Sequence, residues 1–432
     1  MLESVVAVIV VTVDTAMISV LGKGAVSAVS LTTQPKLIIF ALFYALGTTT
    51  SVFVAQALGK NDQKEANAVF HIILRVTVLL SVILGIAAGA LAKPIMHLCS
   101  RQADTIDMSV TFFRIIMIFM IFQNVSVVLN AALRGIGKTR VTLISGIVLG
   151  VVDFAVNYLL IEGHLGFPRM EIAGDAIGTV SGSVAACVVS LIYLIRSPGF
   201  LNLKGILTDR EKDADRSKRI REKATGVISE NILTRVGFLL SSIIVSTLHS
   251  SETAVYFTAM ILLNYSFAFG DGLQAAAVTL VGRSVGAGEK NAVQDYARKC
   301  LIVGAVVAGV LSVIYIAGAG KFFSIFYSDQ ASISLGMKFS YIASALTFLQ
   351  IIRIVETGIM RGIGEVKVPM ILATISVLCI NPATSFILVV VLSIGIWGIW
   401  GASLVSQTVW VILAFIKEHQ IRSAFIRGSD RA

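Results

Sequence analysis

The sequence predicts an all-α membrane protein: twelve transmembrane helices in two pseudo-symmetric six-helix bundles. Three observations predict it. The apolar runs are long enough to cross a bilayer, basic residues crowd alternate loops, and the two halves repeat each other in one register.

Of the 432 residues, 56% are hydrophobic and 14% are charged, where soluble domains carry about 25% charged residues. Ile72 to Ala92 contains one charge, Arg75, while Leu301 to Gly320 and Val368 to Trp400 contain none. About 20 apolar residues span a bilayer as a helix. A helix also pairs every backbone polar group internally, which lipid demands. The strict alternation of a membrane β-barrel is not seen.

The first-half spans are expected at 2–21, 28–57, 69–92, 106–133, 140–161 and 173–195, and the second-half spans at 224–248, 254–282, 298–319, 333–360, 368–392 and 396–416. The second, fourth, eighth and tenth are long, so they tilt or protrude. Loops 58–68, 134–140, 196–223, 283–299, 361–367 and the tail from 417 hold 24 of the 35 Lys and Arg; the opposite loops hold six. The positive-inside rule then puts both termini in the cytoplasm. The net charge of +10 is thus explained by orientation and requires no nucleic-acid partner. The expected organisation is an N-terminal lobe at 1–198, a basic cytoplasmic linker at 199–223, a C-terminal lobe at 224–418 and a cytoplasmic tail at 419–432. No cleavable signal peptide is read at the start, because the apolar run from Ser4 meets Asp14.

The repeat has an offset of 227 residues. Arg134-Gly135-Ile136-Gly137 recurs as Arg361-Gly362-Ile363-Gly364, and Gly59, Gly174, Glu3 and Gln123 map onto Gly286, Gly401, Glu230 and Gln350. Six spans per copy gives both copies the same orientation. Transporters built this way bind substrate near the midplane and work by rocking one half against the other.

Ionisable groups inside the bilayer are costly and are therefore functional candidates. Asp14 lies inside the first span, where a carboxylate can carry a proton or ligate Na⁺ through oxygen. Asp153 and Asn157 are four apart on one face of the fifth span. Asn130 ends the fourth span and Thr179 lies in the sixth. Together these residues offer oxygen ligands and proton acceptors, or else helix–helix hydrogen bonds. In the second half the candidates are Glu230, Gln350, Arg353 and Glu356. Arg353 and Glu356 are three apart, which suits an internal ion pair; a structural pair, a pH-sensitive latch and a Glu356 that faces a cationic substrate are equal readings. Gly146-xxx-Gly150 and Gly178-xxx-Gly182 allow close helix approach and indicate packing, not chemistry. Phe40, Phe43, Tyr44 and Phe267 are candidates to line a greasy cavity. Cys99, Cys187, Cys300 and Cys379 stand singly, so neither a disulfide framework nor a zinc site is indicated; Na⁺ at Asp14 and Asp153 is the one metal reading. The glycines from Gly282 to Gly288 follow a helix and lack GxxxxGK[ST], so they form no nucleotide loop. No nucleophile–base cluster appears, so no enzyme is expected and no cofactor beyond the coupling ion.

Val13-Asp14-Thr15-Ala16-Met17, Ala55-Gln56-Ala57-Leu58-Gly59, Leu133-Arg134-Gly135-Ile136-Gly137 and Gly174-Asp175-Ala176 resemble, in order and spacing, the MATE (multidrug and toxic compound extrusion) family. The resemblance covers nearly the whole chain. It implies a V-shaped pair of six-helix lobes and an H⁺- or Na⁺-coupled antiporter that exports cationic or amphipathic organic compounds through the inner membrane, acting as a monomer. It matches Asp14 to the first-helix aspartate that binds the coupling cation, and Asn130, Asp153, Asn157 and Thr179 to the polar positions around it. It matches Glu230 to a seventh-helix glutamate. The order Asp153 then Asn157 reverses that of some proton-coupled members, and Gln350 stands where one bacterial branch has an aspartate. Only Met1 to Ser4 precede the apolar core, so the first helix is short or the true start lies upstream. Two other readings stay open: a flippase for lipid-linked sugars or phospholipids, which needs a cationic cavity built on residues such as Arg235 and Arg353, and a non-transporting membrane scaffold.

Overall fold

The computed structural model describes residues 2–99, 103–196, 199–203, 206, 214–245, 248 and 250–428. Parts of the expected linker, including Lys204, Arg210 and Lys212, and the last four residues of the tail lie outside the described residues. Among the described residues the chain is helical throughout and has no strand.

The chain divides into two compact units, Leu2–Ala224 and Thr225–Ala432. The first holds α1 (Leu2–Ser19), α2 (Lys23–Gly59), α3 (Gln63–Ala90), the short α4 (Ala92–Cys99), α5 (Ala103–Ile118), α6 (Met120–Gly135), α7 (Thr139–Leu160) and α8 (Ile172–Arg196). From α9 (Ala214–Val245) the chain passes into the second unit. That unit holds α10 (Ser250–Ala287), α11 (Lys290–Phe326), α12 (Gln330–Ile363), α13 (Lys367–Ala373), α14 (Asn381–Phe386) and α15 (Ile396–Gly428). With α5 and α6 as one bent span, and α13 and α14 as parts of another, there are twelve transmembrane helices, six in each bundle. Nine among the described residues pass a length and hydropathy test alone, and the bent pair makes ten. The remaining two, α1 and α10, stand at the first and eighth expected spans.

Three spans differ from expectation. The fourth is broken at Phe119, with its halves 50° apart. Sharp bends have local causes, and this one sits in a glycine notch of α3. A Cβ on Gly85 would lie 2.7 Å from the Met117 carbonyl oxygen, and one on Gly89 would lie 2.9 Å from the Ile118 side chain. The eleventh span widens into π-helical turns at Thr374–Ile380 and Ile387–Val391. Pro382, between them, lacks the N–H that an α-helix interior requires. The twelfth continues as α15 to Gly428, so the expected tail is helical as far as the structure describes it. Several other helices run past their apolar cores into water. Asp62 caps α3 by accepting from the Glu65 N–H at 2.9 Å, and Asp329 caps α12 by accepting from the Ser332 N–H at 2.8 Å.

The described parts of the linker are pinned to the first bundle. Gln63 and Asn67 of α3 donate to the Gly199 and Phe200 carbonyls at 3.1 and 3.0 Å. His71 meets the Asn202 carbonyl at 2.8 Å, and Arg75 donates to that of Ile206. Arg216 and Arg219 both reach Glu65, at 2.9 and 3.1 Å. The helix α9 begins within the expected linker, ten residues before the expected seventh span.

Candidate functional site

The polar centre of the first bundle is built where α1, α7 and α8 meet. Asp153 and Asn157 stand one turn apart on the α7 face that packs on α8, and the glycines of α8 make room for them. A Cβ on Gly178 would collide with Asn157 Oδ1 and lie 2.6 Å from its Cγ; one on Gly182 would lie 3.1 Å from Asp153 Cβ. The expectation that Gly178-xxx-Gly182 concerns packing alone is corrected, since these glycines shape the polar centre. In the other glycine pair, Gly150 abuts Val10 of α1, while Gly146 has open space before it.

One amide joins three carboxyls. Asn157 Nδ2 donates to Asp14 Oδ1 at 2.8 Å, to Asp153 Oδ1 at 3.3 Å and to Asp175 Oδ1 at 3.4 Å. An amide nitrogen carries only two protons, so the short bond to Asp14 dominates and the other two carboxyls share what remains. Lys36 of α2 attracts both Asp14 and Asp175 electrostatically, and its ammonium lies 5.6 Å from the Phe112 ring centroid. Asp153, Asn157 and Asp175 are buried. Asn157 Oδ1 and Asp175 Oδ2 are buried with no hydrogen-bond partner among the described residues. An aspartate at the centre of a membrane helix costs about 3 kcal/mol to insert, so three together require protons, cations or donors.

A cavity of about 430 Å³ opens beside this centre between α1 and α7. Asp14, Asp153 and Asn157 give it a polar floor, and its walls are apolar, among them Ile9, Val13, Val151 and Phe154. Phe40 and Phe43 are packed in the core of the bundle instead, while Tyr44 is exposed.

The structure thus brings Asp14, Asp153 and Asn157 together and adds two residues that sequence reasoning missed, Asp175 and Lys36. Asp175 stands in the Gly174-Asp175-Ala176 motif. Lys36 is an ammonium in an apolar span, and that alone is a signal. Asn130 is placed apart from this centre: it accepts from Ser190 Oγ at 2.8 Å and donates toward Ser126 and Ser145 at 3.3 and 3.4 Å. For Thr179 the structure shows its backbone carbonyl accepting from Ser183 at 2.9 Å.

In the second bundle Glu230 is engaged by Arg361 at 2.8 Å, and Arg361 also donates to Gln274 at 3.2 Å. The first bundle holds the repeat-related pair, Glu3 with Arg134 at 2.6 Å. Gln350 donates to the Leu263 carbonyl at 3.2 Å. The expected ion pair between Arg353 and Glu356 is not formed. Arg353 lies over the Trp410 and Phe267 rings, 5.4 and 6.0 Å from their centroids, whereas Glu356 is under the electrostatic influence of Glu418 and Arg422 on α15. The i, i+3 spacing permits the pair, but each side chain follows a different neighbour. Asp271, also unanticipated, faces Arg361, Arg353 and Arg235. With Glu230 it balances much of the positive charge that a flippase cavity would present.

The MatE family model matches residues 1–159 and 227–387. The chain is 24% identical to the probable multidrug resistance protein YoeA of Bacillus subtilis (strain 168), covering 88% of this chain and 82% of that one. It is 23% identical to the probable multidrug resistance protein NorM of Thermotoga maritima, covering 90% and 83%. A solved multidrug resistance MATE family transporter of the MOP superfamily, in an outward-facing conformation, superposes with a TM-score of 0.91 at 17% identity over 99% of this chain and 94% of that one. A MOP superfamily transporter from Pyrococcus furiosus superposes with a TM-score of 0.90 at 16% identity, over 98% and 94%. At such identities the structural matches establish the fold.

Proposed function

Since the chain belongs to the MATE family of multi-pass membrane transporters and is not an enzyme, we propose that it exports amphipathic organic cations in exchange for H⁺, with Asp14, Asp175, Asp153 and Asn157 as the proton site. The observation that carries this is the convergence of Asp14, Asp153 and Asp175 on the single Asn157 amide, which presents more carboxylate charge than one donor can satisfy. The names of the relatives above support multidrug efflux, and the apolar cavity with carboxyls on its floor suits a greasy compound bearing a positive charge. Na⁺ held by the same oxygens is the competing occupant.

In this reading a proton entering from outside binds between Asp14 and Asp175, and the Asn157 donor is released from Asp14. The packing of α1 on α7 changes with it, and the organic cation loses its counter-charge. Proton and drug need only prefer opposite states of the transporter. Exchange of one proton for one monovalent organic cation moves no net charge, so the pH gradient alone drives it, and at 1.36 kcal/mol per tenfold one pH unit sustains a solute gradient of about tenfold. The chain acts as a monomer in the inner membrane, with both termini cytoplasmic.

The test is ethidium efflux from a pump-deleted bacterial host, with and without Na⁺ and a protonophore. Efflux that collapses with protonophore and ignores Na⁺ supports the assignment. Efflux that follows Na⁺ reassigns the coupling ion, and no efflux from well-expressed protein shifts the reading to a narrower exporter or a flippase.

A further inference from the structure

The second bundle contains a buried acidic pair that the transport reading does not use. Glu356 of α12 is 0% exposed and Glu418 of α15 is 2% exposed. Neither oxygen of Glu356 has a hydrogen-bond partner among the described residues, while Glu418 Oε1 is ion-paired with Arg422. The charged groups that face the pair are few. Arg422 approaches Glu418 at 3.3 Å and also acts on Glu356, and His419 acts on Glu418 alone. Arg422 lines a cavity of about 420 Å³ with Gln294, Asp295 and Arg298 of α11. That cavity lies by the end of α15, on the side marked by the basic loops.

Two carboxylates and one guanidinium leave one negative charge unmatched. A buried carboxylate without hydrogen bonds is strongly disfavoured, and the Glu418 carboxyl acting on Glu356 adds to that cost. Neutralisation requires a bound cation, and no cluster of three or more His, Cys, Asp or Glu side chains is found among the described residues to ligate a metal ion, which leaves a proton. We propose that Glu356 and Glu418 form a second proton-binding site, separate from the Asp14 centre and filled through the Arg422 cavity from the basic-loop side. The contact of α12 with α15 then responds to the pH on that side.

The test is infrared spectroscopy of the full-length protein in nanodiscs, following the C=O stretch of protonated carboxyls through a pH titration. The expected result is a titrating carboxyl band that disappears in Glu356→Gln, shifts or disappears in Glu418→Gln and persists in Asp14→Asn. The Asp14→Asn spectrum separates this site from the transport site, so either assignment can fail alone. If Glu356→Gln does not fold, Glu418→Gln carries the comparison. A spectrum unchanged by the glutamate substitutions overturns the proposal, and so does a band erased by Na⁺ at constant pH.

Discussion

Replacing Gly178 by alanine adds one methyl group at the place where the proposed coupling site has no room for it. That Cβ would overlap Asn157 Oδ1, approach Cγ to 2.6 Å and stand 3.2 Å from the Asp153 carbonyl oxygen, where 3.4–4 Å is ordinary contact. The Asp153 carbonyl belongs to the α7 backbone and is held, so the Asn157 amide must swing away. Its 2.8 Å bond to Asp14 is then lost. A hydrogen bond to a charged partner is worth about 1.5–3 kcal/mol. At 1.36 kcal/mol per tenfold, coupled efflux should fall by about ten- to 150-fold. Overpacking adds a stability loss of about 1–3 kcal/mol, so the variant's thermal midpoint should drop and its folded fraction must be checked by gel filtration. Gly146→Ala is the control: it lies on α7 with nothing within 4 Å of the added Cβ, and alanine is the better helix former. The assay is the initial rate of ethidium efflux, normalised to folded protein. A well-folded Gly178→Ala variant that pumps at the wild-type rate would refute the claim that Asn157 organises the site.

The repeat-related ion pairs should differ in weight. Glu230 and Arg361 are 11% and 6% exposed, whereas Glu3 and Arg134 are 30% and 26% exposed. Glu230→Ala should therefore cost about 3–5 kcal/mol, the range for one partner lost from a buried pair. Glu3→Ala should cost about 1 kcal/mol or less, and melting in detergent should rank them so. Asp329 stands in the loop before α12, and hydrogen bonds from Ser332 hold its carboxyl below its ordinary range. Its capping contribution is thus present above that range and lost as pH falls through the lowered value. The protection factor of the Ser332 amide, corrected for the intrinsic exchange rate, should fall on acidification in wild type and stay flat in Asp329→Asn; equal acid sensitivity would count against the cap. Glu65→Gln should weaken the hold of Arg216 and Arg219 by about 0.2–1 kcal/mol each and quicken proteolysis within 199–223. Unchanged cleavage would mean that the contacts of the other α3 side chains with the linker backbone suffice.

The helical architecture was legible because bilayer physics leaves so few alternatives. The 227-residue register named both ends of the two ion pairs, Glu3 with Arg134 and Glu230 with Arg361. It did not show that they touch, because each contact joins helices 131 residues apart. The i, i+4 spacing of Asp153 and Asn157 placed them on one face. It carried no information about Asp175, which reaches them only because Gly178 and Gly182 let α8 approach. The bend at Phe119 has no proline to announce it, whereas α2 runs unbroken through Pro35. Helix ends were underestimated wherever a polar cap such as Asp62 carries the helix into water. The Arg353–Glu356 expectation failed for a related reason. Spacing along one helix cannot anticipate that Trp410 draws one residue and α15 holds the other.

The account rests on the carboxyl of Asp14. The most direct test is purified protein in liposomes, with an imposed pH gradient driving ethidium antiport by wild type and Asp14→Asn at equal incorporation. The amide cannot take up and release a proton, so the account predicts gradient-driven flux in the wild type and none above empty liposomes in the variant. Flux through Asp14→Asn at the wild-type rate would contradict it.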